Sequence, residues 1–335
     1  MVRDFDRLQI RFRQFGGWRL VWQYTKMGVL WTGVRELADC VIHGRSFKRA
    51  YPAIIRGVDK RLLKQYHSVF DALNIKRADG IVSSCGEKKA EERKPKIAWV
   101  IWLQGIDHAP EMVRMCIASQ KSSLPDYEFH FVSETNYKEW ITLPRHIEEK
   151  RGRGIIPDAQ FSDLLRLALL VRYGGLYMDA TVLCTGFGNE RLHTRWTEIE
   201  LAGLFIFRYF RHGERVAHGL SNWFISARPC HSVLLAVNNA LLEYWRDYDC
   251  LVNYYVMHLF LGEALRRFPE LLETMPRGNS FHSLLLGGVL AKDFDAVVWQ
   301  ELTEHVSFHK LNFRKAKDAE RNPYSFYNRI FKNGI

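Results

Sequence analysis

FSDLLRLALLVRYGGLYMDATV, residues 161–182, reads as an apolar helix, a Gly-Gly stop and a strand that ends in an acidic turn. Between Phe161 and Val171 only Asp163 and Arg166 are charged, three apart and so on one helical face. The rest of the segment is apolar nearly all round, which predicts a helix buried on most sides. A charge carried into such surroundings needs a partner or a ligand. Gly174-Gly175 ends the helix, as glycine does where φ turns positive. Strand alternation beyond it puts Tyr177, Asp179 and Thr181 on one face and Leu176, Met178 and Ala180 on the other. Asp179 and Thr181 then offer a carboxylate and a hydroxyl to one hard cation. Two readings stand side by side: a ligand site, or an Asp163–Arg166 pair with Asp179 capping a turn.

Around this segment strand and helix patterns alternate. Ile97 to Leu103, Glu128 to Val132, Glu200 to Phe207 and Trp223 to Ala227 read as strands. Pro110 to Gln120, with proline in the first turn, Tyr137 to Ile141, His231 to Tyr248 and Leu251 to Phe268 read as helices. That alternation predicts an α/β domain with a largely parallel sheet. No internal repeat or low-complexity tract interrupts it.

The chain has 335 residues, 47% hydrophobic and 25% charged, enough for one large domain or two modest ones. Its six cysteines are scattered without a CxxC pair, which fits a reduced compartment better than a disulfide scaffold or a zinc site. Arg3, Asp4, Asp6, Arg7, Arg11 and Arg13 break up any secretory signal, and no apolar run of about 18 residues suits a spanning helix. Net charge is +11, and residues 1–71 carry +8 of it, from fourteen Lys and Arg against six Asp and Glu.

Residues 1–90 read as a basic amphipathic helical region. Phe5, Leu8, Phe12 and Phe15 recur at helical spacing, Gly16-Gly17 breaks the pattern, and Tyr24, Met27, Trp31, Val34, Ala38 and Val41 then form a long stripe. With Trp18 and Trp22 added, the region suits an anionic membrane surface; the alternative is a stripe packed on the core with its arginines in water. Residues 83–96, SSCGEKKAEERKPK, read as a linker or exposed loop.

Several chemistries lack their motifs. Gly186-Phe187-Gly188 lacks the third glycine of a dinucleotide fingerprint, and no GxxxxGK[ST], HExxH or GxSxG is present. RNA-recognition, zinc-finger and basic-zipper patterns are missing too, so nucleic acid is not an expected partner.

The run SDLLRLALLVRYGGLYMDAT resembles the signature shared by glycosyltransferase family 32 and the capsular polysaccharide synthesis proteins, S-D-x-x-R followed by Y-x-x-G-G-x-Y-x-D-x-D. Ser162, Asp163, Arg166, Gly174, Gly175, Tyr177 and Asp179 are the matching positions. KPKIAWVIWLQG is similar to a second family pattern through Pro95, Lys96, Ile97, Trp102 and Gly105. The resemblance is close over residues 94–185 and continues loosely to SFHKLN at Ser307 to Asn312.

The resemblance implies a GT-A fold over residues 91–335: a Rossmann-like nucleotide-sugar-binding domain with a mostly parallel central sheet. It implies that Trp102 lies near the nucleobase, that Asp163 and Arg166 with Tyr177 hold the donor, and that Asp179 binds Mn²⁺ or Mg²⁺ bridging two phosphates. Thr181 stands where the family's second aspartate is expected and is the weaker ligand. His309 is a further candidate for the metal, Lys310 for the diphosphate, and Asn222 for the donor–acceptor cleft. The implied reaction is retaining transfer from a nucleoside-diphosphate sugar, a UDP-sugar, to a saccharide or lipid-linked saccharide acceptor. Such an enzyme is expected to be cytoplasmic and peripheral on the inner face of the membrane. The alternatives are a sugar-phosphate transferase and a basic binding protein for membrane or nucleic acid.

Overall fold

A computed structural model describes residues 16–44, 51–71, 94–208 and 219–332. The expected Phe5–Phe15 helix and most of the 83–96 linker lie outside these residues. In chain order come helices α1 (Trp18–Lys26), α2 (Leu30–Ile42) and α3 (Tyr51–Gln65), strand β1 (Ile97–Ile101), α4 (Glu111–Ser123) and β2 (Glu128–Val132). Next are α5 (Arg145–Gly152), α6 (Asp158–Tyr173), β3 (Gly175–Met178), β4 (Val182–Cys184), α7 (Glu190–Leu201), β5 (Leu204–Arg208) and β6 (Leu220–Ala227). The rest are α8 (Ser232–Asp247), α9 (Val256–Arg266), α10 (Pro269–Thr274), α11 (Ser280–Val289), α12 (Ala296–His305), β7 (Phe308–Lys310), α13 (Ala316–Glu320) and α14 (Phe326–Phe331).

The chain folds as two compact units. The first comprises Met1–Ile81, Thr142–Leu164 and Ala236–Arg267. Val58, Leu62, Phe70, Trp245 and Phe260 are at most 1% exposed within it, and Tyr66 meets Phe260 edge-on at 5.4 Å. Asp59 accepts from Asn253, yet burial pushes its carboxyl up to about 6. The N-terminal stripe is cut into α1 and α2 at Met27-Gly28, where Gly28 takes φ 66°. Leu20, Met27, Val29 and Cys40 point inward. The stripe divides there: Met27 is buried and Tyr24 half-buried, whereas Trp31 is 79%, Val34 46% and Val41 66% exposed.

The second unit comprises Val82–Ile141, Leu165–Leu235 and Phe268–Ile335. Its main sheet has the order β2-β1-β3-β6-β5. β1 runs parallel to β2 and β3, whereas β6 runs antiparallel to β3 and β5. Four of the five strands therefore share a direction. β1 and β3 read as continuous apolar runs because both faces are covered. Phe205, Phe207, Trp223, Phe224 and Phe308 belong to one aromatic core cluster against this sheet. β4 and β7 form a separate antiparallel pair.

Several local expectations are corrected; the helix read from Leu251, for one, begins only at Val256. Strand alternation stops at Met178, and Asp179 to Thr181 form a turn instead. Glu200 belongs to α7, so the strand begins at Leu204; Leu192, Trp196 and Ile199 are the buried helical face there. Pro110 is the N-cap of α4 rather than a first-turn residue. Cys40, Cys116, Cys184 and Cys250 are free buried thiols, whereas Cys230 is disulfide-bonded, a departure from the all-reduced expectation.

Candidate active site

Gly174 and Gly175 aim the chain at the site. They take φ 68° and 93°, and a Cβ would stand 2.6 Å from Pro229 Cδ in the first case and 2.5 Å from the Ile97 carbonyl in the second. Only glycine permits both the conformation and this packing. β3 then runs beside β1, so Trp102, the first residue past β1, and Asp179, the first past β3, leave the sheet at the same edge. Open α/β sheets place ligand sites at such carboxyl ends.

The turn after β3 is pinned by its backbone. Asp179 N–H donates to the Trp223 carbonyl at 2.8 Å, and Leu311 N–H donates to the Thr181 carbonyl at 3.0 Å. Gln120, fully buried on α4, donates through Nε2 to the carbonyls of Asp179 at 3.1 Å and Val182 at 2.8 Å. Sequence reading missed Gln120, although it is a lone amide on the buried face Met112, Val113, Cys116, Ile117 of α4.

Asp179 collects the charges of the unit's interior. Lys310 Nζ lies 2.7 Å from Oδ2, Arg166 Nη1 3.8 Å from Oδ1, and the Tyr177 hydroxyl donates to Oδ1 at 2.6 Å. Burial opposes ionisation of Asp179, but Lys310 above all, then Arg166 and the Tyr177 hydrogen bond, outweigh it and hold the carboxyl below its ordinary range. Arg166 also donates to the Asn222 carbonyl at 2.6 Å, and its guanidinium lies 4.4 Å from the centre of the Tyr177 ring. Lys310 Nζ makes a short hydrogen bond to Thr181 Oγ1 as well. Two cations thus converge on the Asp179 carboxylate. Asp163 lies one turn before Arg166 on α6, and both are 6% exposed.

His309 is not brought into this cluster. β7 alternates, so Lys310 faces Asp179 while His309 turns into the protein, fully buried, with Nε2 3.3 Å from Thr185 Oγ1. Burial pushes its imidazole down to about 4. Trp102 meets Phe313 edge-on at 5.4 Å, and its buried indole N–H has no acceptor among the described residues. Asn222 contributes its backbone carbonyl.

Asp179 supplies a carboxylate and Thr181 a hydroxyl, but the Lys310 ammonium stands between those two oxygens. No three His, Cys, Asp or Glu side chains converge as a metal-binding group among the described residues. As arranged, the residues do not fit a divalent ion.

Residues 55–330 match the family described as capsular polysaccharide synthesis protein, and the chain belongs to that family. No curated protein matches it significantly. Among solved structures it is similar to PaToxG glycosyltransferase at 16% identity and a TM-score of 0.36, over 81% of this chain and 95% of that one.

Proposed function

We propose that the chain is a glycosyltransferase that moves a sugar from a nucleoside diphosphate, UDP, to a saccharide hydroxyl during capsule synthesis. The observation that carries this reading is the Asp179–Lys310–Arg166 cluster at the carboxyl edge of the sheet, in a chain of this family. Breaking a sugar–phosphate bond leaves a diphosphate with added negative charge. Lys310 and Arg166, preset by Asp179 and shielded from water, stabilise that charge as it develops. Asp179 orients the two cations, and Gln120 holds the turn that carries Asp179. The unpaired Trp102 N–H and ring supply a donor and an aromatic platform for the nucleobase. Retention is served by same-face attack, in which a departing diphosphate oxygen takes the proton of the acceptor hydroxyl. The reading draws its positive charge from the chain itself and leaves the Mn²⁺ or Mg²⁺ expectation to a chelation test.

The N-terminal helices support attachment to the inner membrane face, where a lipid-linked acceptor would lie. Trp18 is 80%, Trp22 59% and Trp31 79% exposed, a costly arrangement for an aqueous surface. In the same unit Lys26, Arg61 and Lys64 line a hollow of about 510 Å³ that suits anionic headgroups. No described helix is long and apolar enough to cross a membrane.

The deciding experiment incubates the chain with a panel of nucleotide sugars and identifies the nucleotide released. UDP is expected. UMP would mean sugar-phosphate transfer, and no release together with salt-sensitive DNA binding would mean a basic binding protein.

A further inference from the structure

We infer that the second unit carries an anion-binding site, separate from the Asp179 cluster, that holds an oxyanion of the acceptor: a sugar carboxylate or a phosphate. This rests on the glycosyltransferase reading only in assigning the ligand to the acceptor. The site is a hollow of about 420 Å³, a size that admits a sugar ring. Arg191 and Arg195 reach it from successive turns of α7, Arg277 from the segment before α11, His282 from α11 and His305 from the end of α12.

The lining contains no aspartate or glutamate. None of the three arginines forms an ion pair with a described carboxylate, and Arg195 has only a long contact, 3.5 Å, to the His305 carbonyl. The His282 and His305 rings lie 5.5 Å apart. Burial first, then His305 and Arg195, lower the pKa of His282, so the arginines carry the charge and this imidazole serves as a neutral hydrogen-bonding group. Like charges gathered from separate elements repel one another, and an oxyanion removes that cost while pairing with planar guanidinium forks.

The hollow belongs to the same edge of the sheet as Asp179. β5 and β3 are both antiparallel to β6, so Phe207, which lines the hollow near the end of β5, and Met178, at the end of β3, point the same way along the sheet. Arg208 N–H donates to the Gly278 carbonyl at 2.9 Å, tying the rim to that edge. His305 is five residues before Lys310, a separation of at most about 18 Å for extended chain. An acceptor anchored by its anion in the hollow can thus extend toward the reacting centre within the length of a short oligosaccharide.

The test measures binding of tetragalacturonate, inorganic pyrophosphate and neutral maltotetraose by calorimetry to the full chain held in excess UDP, which keeps the Asp179 site filled. UDP-induced thermal shift serves as a separate readout of the Asp179 site. The wild type is expected to bind one anionic probe and not maltotetraose; whichever anion binds distinguishes an acidic sugar from a phosphorylated acceptor. The double variant Arg195→Gln/Arg277→Gln is expected to weaken that binding about tenfold or more, with the UDP shift unchanged. Binding of neither anion, equal binding of maltotetraose, or full anion binding by the double variant overturns the inference. Loss of the UDP shift in the wild type counts against the donor site instead and leaves this one standing.

Discussion

Asp179 holds a carboxylate only 23% exposed among Lys310, Arg166 and Tyr177, whereas Trp18 and Trp31 keep 80% and 79% of their surface in solvent. In the first region charge sits where hydrocarbon is expected, and every charged atom has a partner. In the second, hydrocarbon sits where water is expected. Both arrangements lower stability relative to an ordinary interior or surface, and each is intelligible as preparation for something outside the chain. On the proposed reading a small anion completes the buried cluster and a large apolar phase covers the aromatic surface.

The contrast breaks most decisively at Asp179. Asp179→Asn leaves Lys310 and Arg166 without their shared counter-charge, and turnover is expected to fall by about 10²- to 10³-fold. Melting temperature should fall as well, since cations are left unbalanced in the interior. Wild-type turnover in this variant would remove Asp179 from the mechanism. Because the folded state holds its carboxyl low, the contribution of this ion pair to stability is full above the ordinary value of 3.8 and is lost only as pH falls through the lower folded value. An acid-unfolding curve checks that sign.

Lys310→Ala is expected to lower kcat by about 10²-fold with a smaller change in donor KM, the mark of a group that acts as leaving-group charge develops. Chelation of the wild type with EDTA should leave most turnover intact if Lys310 is the working cation. Activity lost to EDTA and restored by Mn²⁺ would show that Lys310 yields its place between Asp179 and Thr181. Gln120→Leu touches no proposed ligand, yet it removes two hydrogen bonds from the turn. About 1–3 kcal/mol of stability should go, with kcat reduced more than KM. The smallest effect belongs to the exposed helices. Trp18→Ala/Trp31→Ala should change stability by less than about 0.5 kcal/mol while reducing sedimentation with anionic liposomes. Unchanged sedimentation would locate any membrane contact elsewhere.

The helix, the glycine stop and the acidic turn were legible because helical period and positive φ leave marks in the order of residues. Asp163, Arg166, Gly174 and Asp179 all announce themselves in that way. Strand β2 was read to the residue, as its EFHFV run is short and bounded. What eluded sequence reading depends on partners far along the chain. Gln120 looks like an ordinary helical glutamine until the turn at Asp179 is packed against it. Helix α7 was unread because most of its residues are polar, although Asn189 caps it and Leu192, Trp196 and Ile199 mark its buried face. His309 and Lys310 are neighbours with equal chemical claims, and only the register of β7 against β4 separates them. The N-terminal stripe was legible as a stripe, but periodicity is silent on whether an apolar face looks inward or outward.

That register has a consequence for how the gene tolerates change. β7 is three residues long, with His309 opposite Leu183 and Lys310 opposite Val182. Gaining one codon between Val306 and Lys310 would slip the strand and present the His309 imidazole where the ammonium now stands, and losing one would present the Leu311 side chain. Missense changes at Ser307 should therefore be borne far better than in-frame indels beside it, so the spacing of this segment is inherited as part of the site.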